Sequence, residues 1–185
     1  MLLPQRNERY TYADYCMWDD SQRWELIDGI PYSMSPAPAP RHQYICGQLI
    51  RRIGNFLDGK SCKVYPAPFD VRLAADGEDD TVVQPDISVV CDRSKIDERG
   101  CSGAPDWVIE VLSPSTASKD TVKKMALYQR VGVREYWIVD PERNTVHVYI
   151  LKDGLYFSKG YCETDRVPVV VLDGLEINLP DIFTE

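Results

Sequence analysis

A carboxylate stands inside the apolar run Trp107-Val108-Ile109-Glu110-Val111-Leu112. The run has the length and the β-branched and aromatic content of a buried strand, bounded by Ala104-Pro105-Asp106 before it and Ser113-Pro114 after it. An ionised carboxylate in such a strand carries a heavy desolvation penalty unless a cation, a metal ion or several donors meet it. Any fold of this chain must therefore bring a compensating group to Glu110.

A second acid has a similar setting in Val82-Val83-Gln84-Pro85-Asp86-Ile87-Ser88-Val89-Val90. Pro85 has no N–H and is best tolerated at the start of a strand, so Asp86 is expected to open the strand continued by Ile87 to Val90. Two strands that each offer one acid suggest a divalent-cation site. Hard cations take oxygen ligands, and magnesium commonly uses one or two protein carboxylates with waters and substrate phosphates.

The elements around these strands follow from local signals. Thr11 can cap a short helix through about Trp18, and Arg23 to Ile27 reads as a strand turning at Asp28-Gly29 into Ile30 to Met34. Pro36-Ala37-Pro38-Ala39-Pro40 is extended. From His42 to Leu57, the apolar residues Ile45, Leu49, Ile53, Phe56 and Leu57 recur at helical spacing. A further helix, capped among Ser115 to Ser118 and closed by Gly132, is carried by Val122, Met125, Ala126 and Tyr128. Strands follow at Glu135 to Asp140, Val146 to Leu151, Leu155 to Tyr161 and Val169 to Leu172, with Tyr136 and Trp137 as rim and core of the first. Strand, helix and strand from Trp107 to Val139 predict a parallel crossover, and the flanking hairpins predict antiparallel pairs. The fold class expected is α/β, a mixed β-sheet flanked by helices with additional β-hairpins.

Composition narrows the class. With 185 residues and 44% hydrophobic content, one domain spanning 1–185 is the default. No N-terminal signal and no membrane span is legible, which predicts a cytoplasmic protein. The six cysteines are scattered without a C-x-x-C pair, so reduced thiols are expected rather than a disulfide framework or a structural zinc site. The net charge of −8 runs against a broad nucleic-acid-binding surface. Part of that acid is local, in Asp76-Gly77-Glu78-Asp79-Asp80, which reads as a solvated loop. Bases gather at Arg51-Arg52 and at Lys119, Lys123, Lys124, Arg130 and Arg134.

Pro85-Asp86 followed by Glu110 resembles the proline-aspartate and acidic parts of the PD-(D/E)XK nuclease signature. The lysine usual two residues after the second acid is replaced by Leu112. The stretch from Val108 through Ser113-Pro114, with Asp120, Lys124, Tyr128, Gly132-Val133 and Glu135-Tyr136-Trp137-Ile138-Val139-Asp140-Pro141, is similar to the Uma-two family of putative restriction endonucleases. In that family the lysine has migrated to the following helix. Upstream, Trp24-Glu25-Leu26-Ile27-Asp28-Gly29, Met34-Ser35-Pro36 and His42 carry the same resemblance. It implies a restriction-endonuclease-like fold and Mg2+-dependent hydrolysis of DNA phosphodiesters, with Mn2+ able to replace Mg2+. Asp86, Glu110 and the Val111 carbonyl are then the metal ligands, and Lys124 orients or deprotonates the attacking water. Glu25, His42, Asp120 and Tyr128 support the site. DNA is the implied partner, and a homodimer is left open.

Plainer readings stand beside these. Asp86 can simply accept local N–H bonds at a strand start, and Glu110 can pair with a helix base. Asp120, Lys124 and Tyr128 share one helical face, where an acid four residues before a base is also an ordinary surface pair worth about 0.2–0.5 kcal/mol. Glu25 can face solvent, and His42 can merely pack at a helix start. His147 reads as structural, and Ser113 lacks the surroundings of a serine hydrolase. The alternative for the whole chain is a catalytically silent module that binds nucleic acid or protein on the same fold.

Overall fold

The computed structural model describes residues 8–18, 22–34, 39–74, 79–113 and 119–184, the side chains of 119–121 excepted. In chain order the elements are α1 (Tyr12–Tyr15), β1 (Trp24–Ile27), β2 (Ile30–Ser33), α2 (Pro40–Leu57), β3 (Lys63–Pro66), β4 (Val71–Arg72), β5 (Val82–Val83) and β6 (Ile87–Val90). After a 3-10 turn at Arg93–Lys95 come β7 (Ile96–Asp97), β8 (Gly100–Ser102), β9 (Trp107–Val111), α3 (Lys119–Val131), β10 (Glu135–Asp140), β11 (Thr145–Lys152) and β12 (Leu155–Tyr161). The chain closes with β13 (Arg166–Pro168), β14 (Glu176–Asn178) and α4 (Pro180–Phe183).

Local chemistry accounts for the ends of these elements. The Thr11 hydroxyl accepts from the Asp14 N–H while Asp14 accepts from the Thr11 N–H, a reciprocal cap for α1. Asp28 and Gly29 both take positive φ, 50° and 74°, as a two-residue hairpin turn requires. α2 begins at Pro40, whose missing N–H would be unsatisfied in a first turn anyway. The Ser115 to Ser118 caps and Pro36 to Pro38 lie outside the described residues, as do Asp76 to Glu78 of the acidic loop.

Two six-stranded sheets form, ordered β2-β1-β5-β4-β8-β7 and β12-β11-β10-β9-β6-β3, with β13-β14 as a separate ribbon. The mixed sheet flanked by helices that was expected is present, and a second sheet stands beside it in which β5 pairs with both β1 and β4. β9 and β10 are parallel and joined through α3, while β10-β11 and β11-β12 are antiparallel. Val169 to Leu172, expected as a strand, instead turns between β13 and β14, held by the Val169 N–H on the Leu175 carbonyl at 2.9 Å.

The second sheet has a core on each face. Trp107, Ile109 and Val111 of β9 pack with Ile45, Leu49, Ile53 and Leu57 of α2. Val108 faces the other way, toward Leu127 and Tyr128 of α3 and Ile27, Val71 and Val83 of the first sheet. Tyr136, expected at a rim, is fully buried like Trp137, because Tyr128 of α3 and its cross-strand neighbour Tyr149 of β11 cover it at centroid distances of 5.0 and 5.7 Å. Val122, expected to face the sheet, is 61% exposed. Among the described side chains of α3, the buried ones are Lys124, Leu127 and Tyr128.

The expectation of reduced cysteines also fails at one pair. Cys62 and Cys91 form a disulfide across 29 residues of sequence. Lys63 pairs with Val90 in the β3-β6 ladder, so the flanking cysteines meet as the next pair outward. Cys16, Cys46, Cys101 and Cys162 are free thiols. Among the described residues, no helix is long and apolar enough to cross a membrane.

Candidate active site

Asp86 lies just before β6 rather than inside it. The antiparallel register of β6 with β9 pairs Ile87 with Ile109, and its continuation by one residue sets Asp86 opposite Glu110. Residues so opposed point to the same face, with Cβ atoms about 4.5–5.5 Å apart. Asp86 Oδ2 accepts the Val111 N–H at 2.8 Å, which ties the two acid-bearing segments together.

Glu110 receives its partners from α3. Lys124 Nζ donates to Glu110 Oε1 at 3.0 Å, and the Tyr128 hydroxyl donates to the same oxygen at 2.8 Å. Lys124 also donates to Glu25 Oε1 at 2.8 Å. That oxygen further accepts the Gln84 N–H at 2.8 Å, so the carboxylate from β1 is held against the segment leading to Asp86. The i, i+4 spacing of Lys124 and Tyr128 brings both to one carboxylate. Lys123, its neighbour in sequence, points elsewhere: its Nζ donates to the Tyr32 hydroxyl at 3.0 Å and stands 4.7 Å from that ring's centre.

His42 comes from the first turn of α2 and reaches Asp86 Oδ2 through Nε2 at 3.3 Å. Its Nδ1 lies 3.7 Å from Cys46 Sγ, one helical turn on. His42, Cys46 and Asp86 offer ligand atoms that all lie within 4.8 Å of one another, a group able to hold a metal ion. The structure thus gathers Glu25, His42, Asp86, Glu110, Val111, Lys124 and Tyr128. Asp120 belongs to α3, and its side chain lies outside the described residues. Sequence reasoning overlooked Gln84 and Cys46, although Gln84 adjoins Pro85-Asp86 and Cys46 follows His42 at helical spacing.

The electrostatics follow from burial and crowding. Burial pushes the Glu110 carboxyl up to about 7 in spite of Lys124, with Asp86 and Glu25 raising it further. For Lys124, burial disfavours the charge, but Glu110 and Glu25 prevail and hold its pKa above the usual lysine value. Burial likewise opposes a charged His42, and the bond to Asp86 with that carboxylate's charge more than offsets it. Burial also raises the Cys46 thiol, and the charges of Asp86 and Glu110 add to the effect. A thiol so held is a poor thiolate ligand, whereas the carboxylates and the Val111 carbonyl are hard oxygen donors.

Among the described residues, the bonds to the three carboxylates each fall on one oxygen: Oε1 of Glu25, Oδ2 of Asp86 and Oε1 of Glu110. Among the described residues, Glu25, Asp86 and Glu110 share the site with the ammonium of Lys124. Asp86 and Glu110, opposed across the β6–β9 register, are oxygen donors of the kind a hard divalent cation takes.

The profile of the Uma2 family, described as putative restriction endonuclease, matches residues 10–180 of this chain. An uncharacterised protein of Synechocystis sp. is 28% identical over 158 residues, which cover 83% of this chain and 81% of that protein. The crystal structure of a putative nuclease belonging to DUF820 from Anabaena variabilis matches with a TM-score of 0.78 at 23% identity, over 95% of this chain and 98% of that one. Its likeness establishes the shared α/β fold of mixed sheets flanked by few helices.

Proposed function

Because this chain belongs to the Uma2 family of putative restriction endonucleases, we propose that it hydrolyses DNA phosphodiester bonds with a divalent cation, magnesium or manganese, held at Asp86, Glu110 and the Val111 carbonyl. The observation that carries this reading is the ammonium of Lys124, delivered from α3 to within 3.0 Å of Glu110 and 2.8 Å of Glu25. The lysine missing at Leu112 is thereby supplied from the helix that follows.

Phosphodiester hydrolysis needs an oriented water and positive charge against the developing oxyanion. When bound, the cation supplies charge neutralisation and a more acidic water. The ammonium of Lys124 orients the attacking water and faces the phosphate oxygens. Tyr128 positions Glu110 through its hydroxyl, and Glu25 positions Lys124. His42 steadies Asp86 from the α2 side, and the Val111 N–H holds its Oδ2, so that Asp86 would meet a cation with its carboxylate already positioned. The buried surroundings strengthen each of these contacts.

The test is nicking of supercoiled plasmid with magnesium, with manganese and with EDTA, together with calorimetric titration of each metal. Metal-dependent nicking that disappears in Asp86→Asn, along with most of the metal affinity, is the expected result. Metal binding without nicking on any DNA would refute the enzyme. DNA or protein binding that persists then identifies the catalytically silent module, the reading that the net charge of −8 and the lysine displaced from Leu112 support.

A further inference from the structure

Beyond Glu25 the chain builds a second concave surface. Residues of α1, the approach to β1 and the segment before Pro85 line a cavity of about 540 Å3, a volume within the about 300–1,000 Å3 usual for small-molecule sites. One wall is aromatic. Trp18 stands edge-on to Tyr15 and Trp24, with ring centres 5.4 and 5.9 Å away and planes inclined by 60° and 69°. All three are half-buried and line the cavity.

The floor is polar and already oriented. Gln84 Nε2 donates to Asp70 Oδ1 at 2.7 Å and to the Tyr15 hydroxyl at 3.3 Å, while Gln84 Oε1 accepts from Arg23 Nε at 3.0 Å. Arg23 and Arg99, both exposed, add positive charge to the lining. Gln84 also connects cavity and active site, since its backbone N–H donates to Glu25 Oε1 at 2.8 Å. Asp86 lies only two residues further, at most about 7 Å along an extended chain.

Aromatic surfaces bind the plane of a base, an amide beside a carboxylate reads a hydrogen-bonding edge, and arginines meet the flanking phosphates. A cationic guest such as a quaternary ammonium also suits aromatic walls, but the two arginines repel it and Asp70 Oδ1 is already bonded. We propose that this cavity receives one nucleobase, turned out of its stack, of the DNA strand whose phosphate is presented to Asp86 and Glu110. The proposal rests on the nucleic-acid reading of that neighbouring site and adds a subsite that favours unpaired or easily unpaired DNA.

The experiment uses the full chain in EDTA, so that binding is measured apart from cleavage. Fluorescence anisotropy compares a short oligothymidylate with an abasic strand of the same length, backbone and charge. The base-bearing strand should bind about tenfold tighter, the equivalent of about 1.4 kcal/mol, which is within what one stacked base contributes. Trp18→Ala should remove most of that preference while leaving the affinity for the abasic strand unchanged, and Trp18→Phe should retain it. Equal affinity of the unaltered protein for the two strands, or binding of neither, overturns the proposal. So does tighter binding of a trimethyl-lysine peptide than of either strand. A base preference without any nicking in magnesium sinks the nuclease reading and keeps the subsite; nicking without a base preference does the reverse.

Discussion

Replacing Glu110 by Gln separates the electrostatic cost of the site from its packing. Burial, with Asp86 and Glu25 nearby, lifts the Glu110 carboxyl from 4.5 to about 7 against the pull of Lys124. Between those values the folded chain holds more protons at this position than the unfolded chain. The contribution of Glu110 to stability is therefore full below about pH 4.5 and is lost as pH rises through about 7. At about 1.4 kcal/mol per pH unit, the loss reaches about 3 kcal/mol. Lys124 stays protonated and Tyr128 neutral across that window, since both pKa values are raised. Gln keeps a carbonyl oxygen for the bonds from Lys124 and Tyr128 but has no charge to desolvate. Urea denaturation in EDTA should show the variant gaining on the unaltered protein by up to about 3 kcal/mol between about pH 4.5 and about pH 8. A variant less stable than the unaltered protein at the higher pH, or a difference that does not change with pH, would refute the reasoning. Ionised Glu110 would then be a paired structural charge whose partners outweigh its burial.

Three further outcomes are expected. Lys124→Ala should lower metal-dependent plasmid nicking by about 10²–10⁴-fold with calorimetric metal affinity largely kept, whereas Lys123→Ala, at the Tyr32 side, should change it little. Burial would raise Asp140, but the N–H groups of Glu142 and Arg143 and the Arg143 guanidinium hold it below the usual carboxylate value. Its stabilisation is present above the unfolded pKa and is lost as pH falls through the folded one, so acid titration followed by circular dichroism should find Asp140→Asn less sensitive than the unaltered protein below about pH 4. Thiol titration of the denatured chain without reductant should count four groups, Cys16, Cys46, Cys101 and Cys162; six would show that Cys62 and Cys91 are not joined.

The elements whose evidence is local were legible before any coordinates. Asp28-Gly29 demands a hairpin because both residues must adopt positive φ, and the apolar period of Ile45, Leu49 and Ile53 demands an amphipathic helix. Glu110 announces itself because a charge in an apolar strand requires a partner. Nonlocal pairing was less legible. The apolar pattern of β1, β4 and β5 does not say which strand each will pair with, so the mixed sheet was legible but its partner sheet was not. Val122 looked like core from its side chain alone, yet the stripe that faces the sheet contains Lys124, because two carboxylates compensate its burial.

By itself the sequence determined the chemistry available: two acids in apolar segments, an ordered set of supporting residues, and a lysine absent from its usual place. Only the tertiary structure brings the ammonium of Lys124, which the resemblance already named, to Glu110 and Glu25 while that of Lys123 meets Tyr32, because adjacent helix positions are about 100° apart and the packing of α3 turns one of them inward. It also decided that Glu25 joins the same ammonium, that Cys62 meets Cys91, and that aromatic residues of α1 and β1 line a cavity next to Gln84. Each of these depends on strand register and helix rotation, quantities fixed by the burial of many side chains at once rather than by any neighbour in sequence.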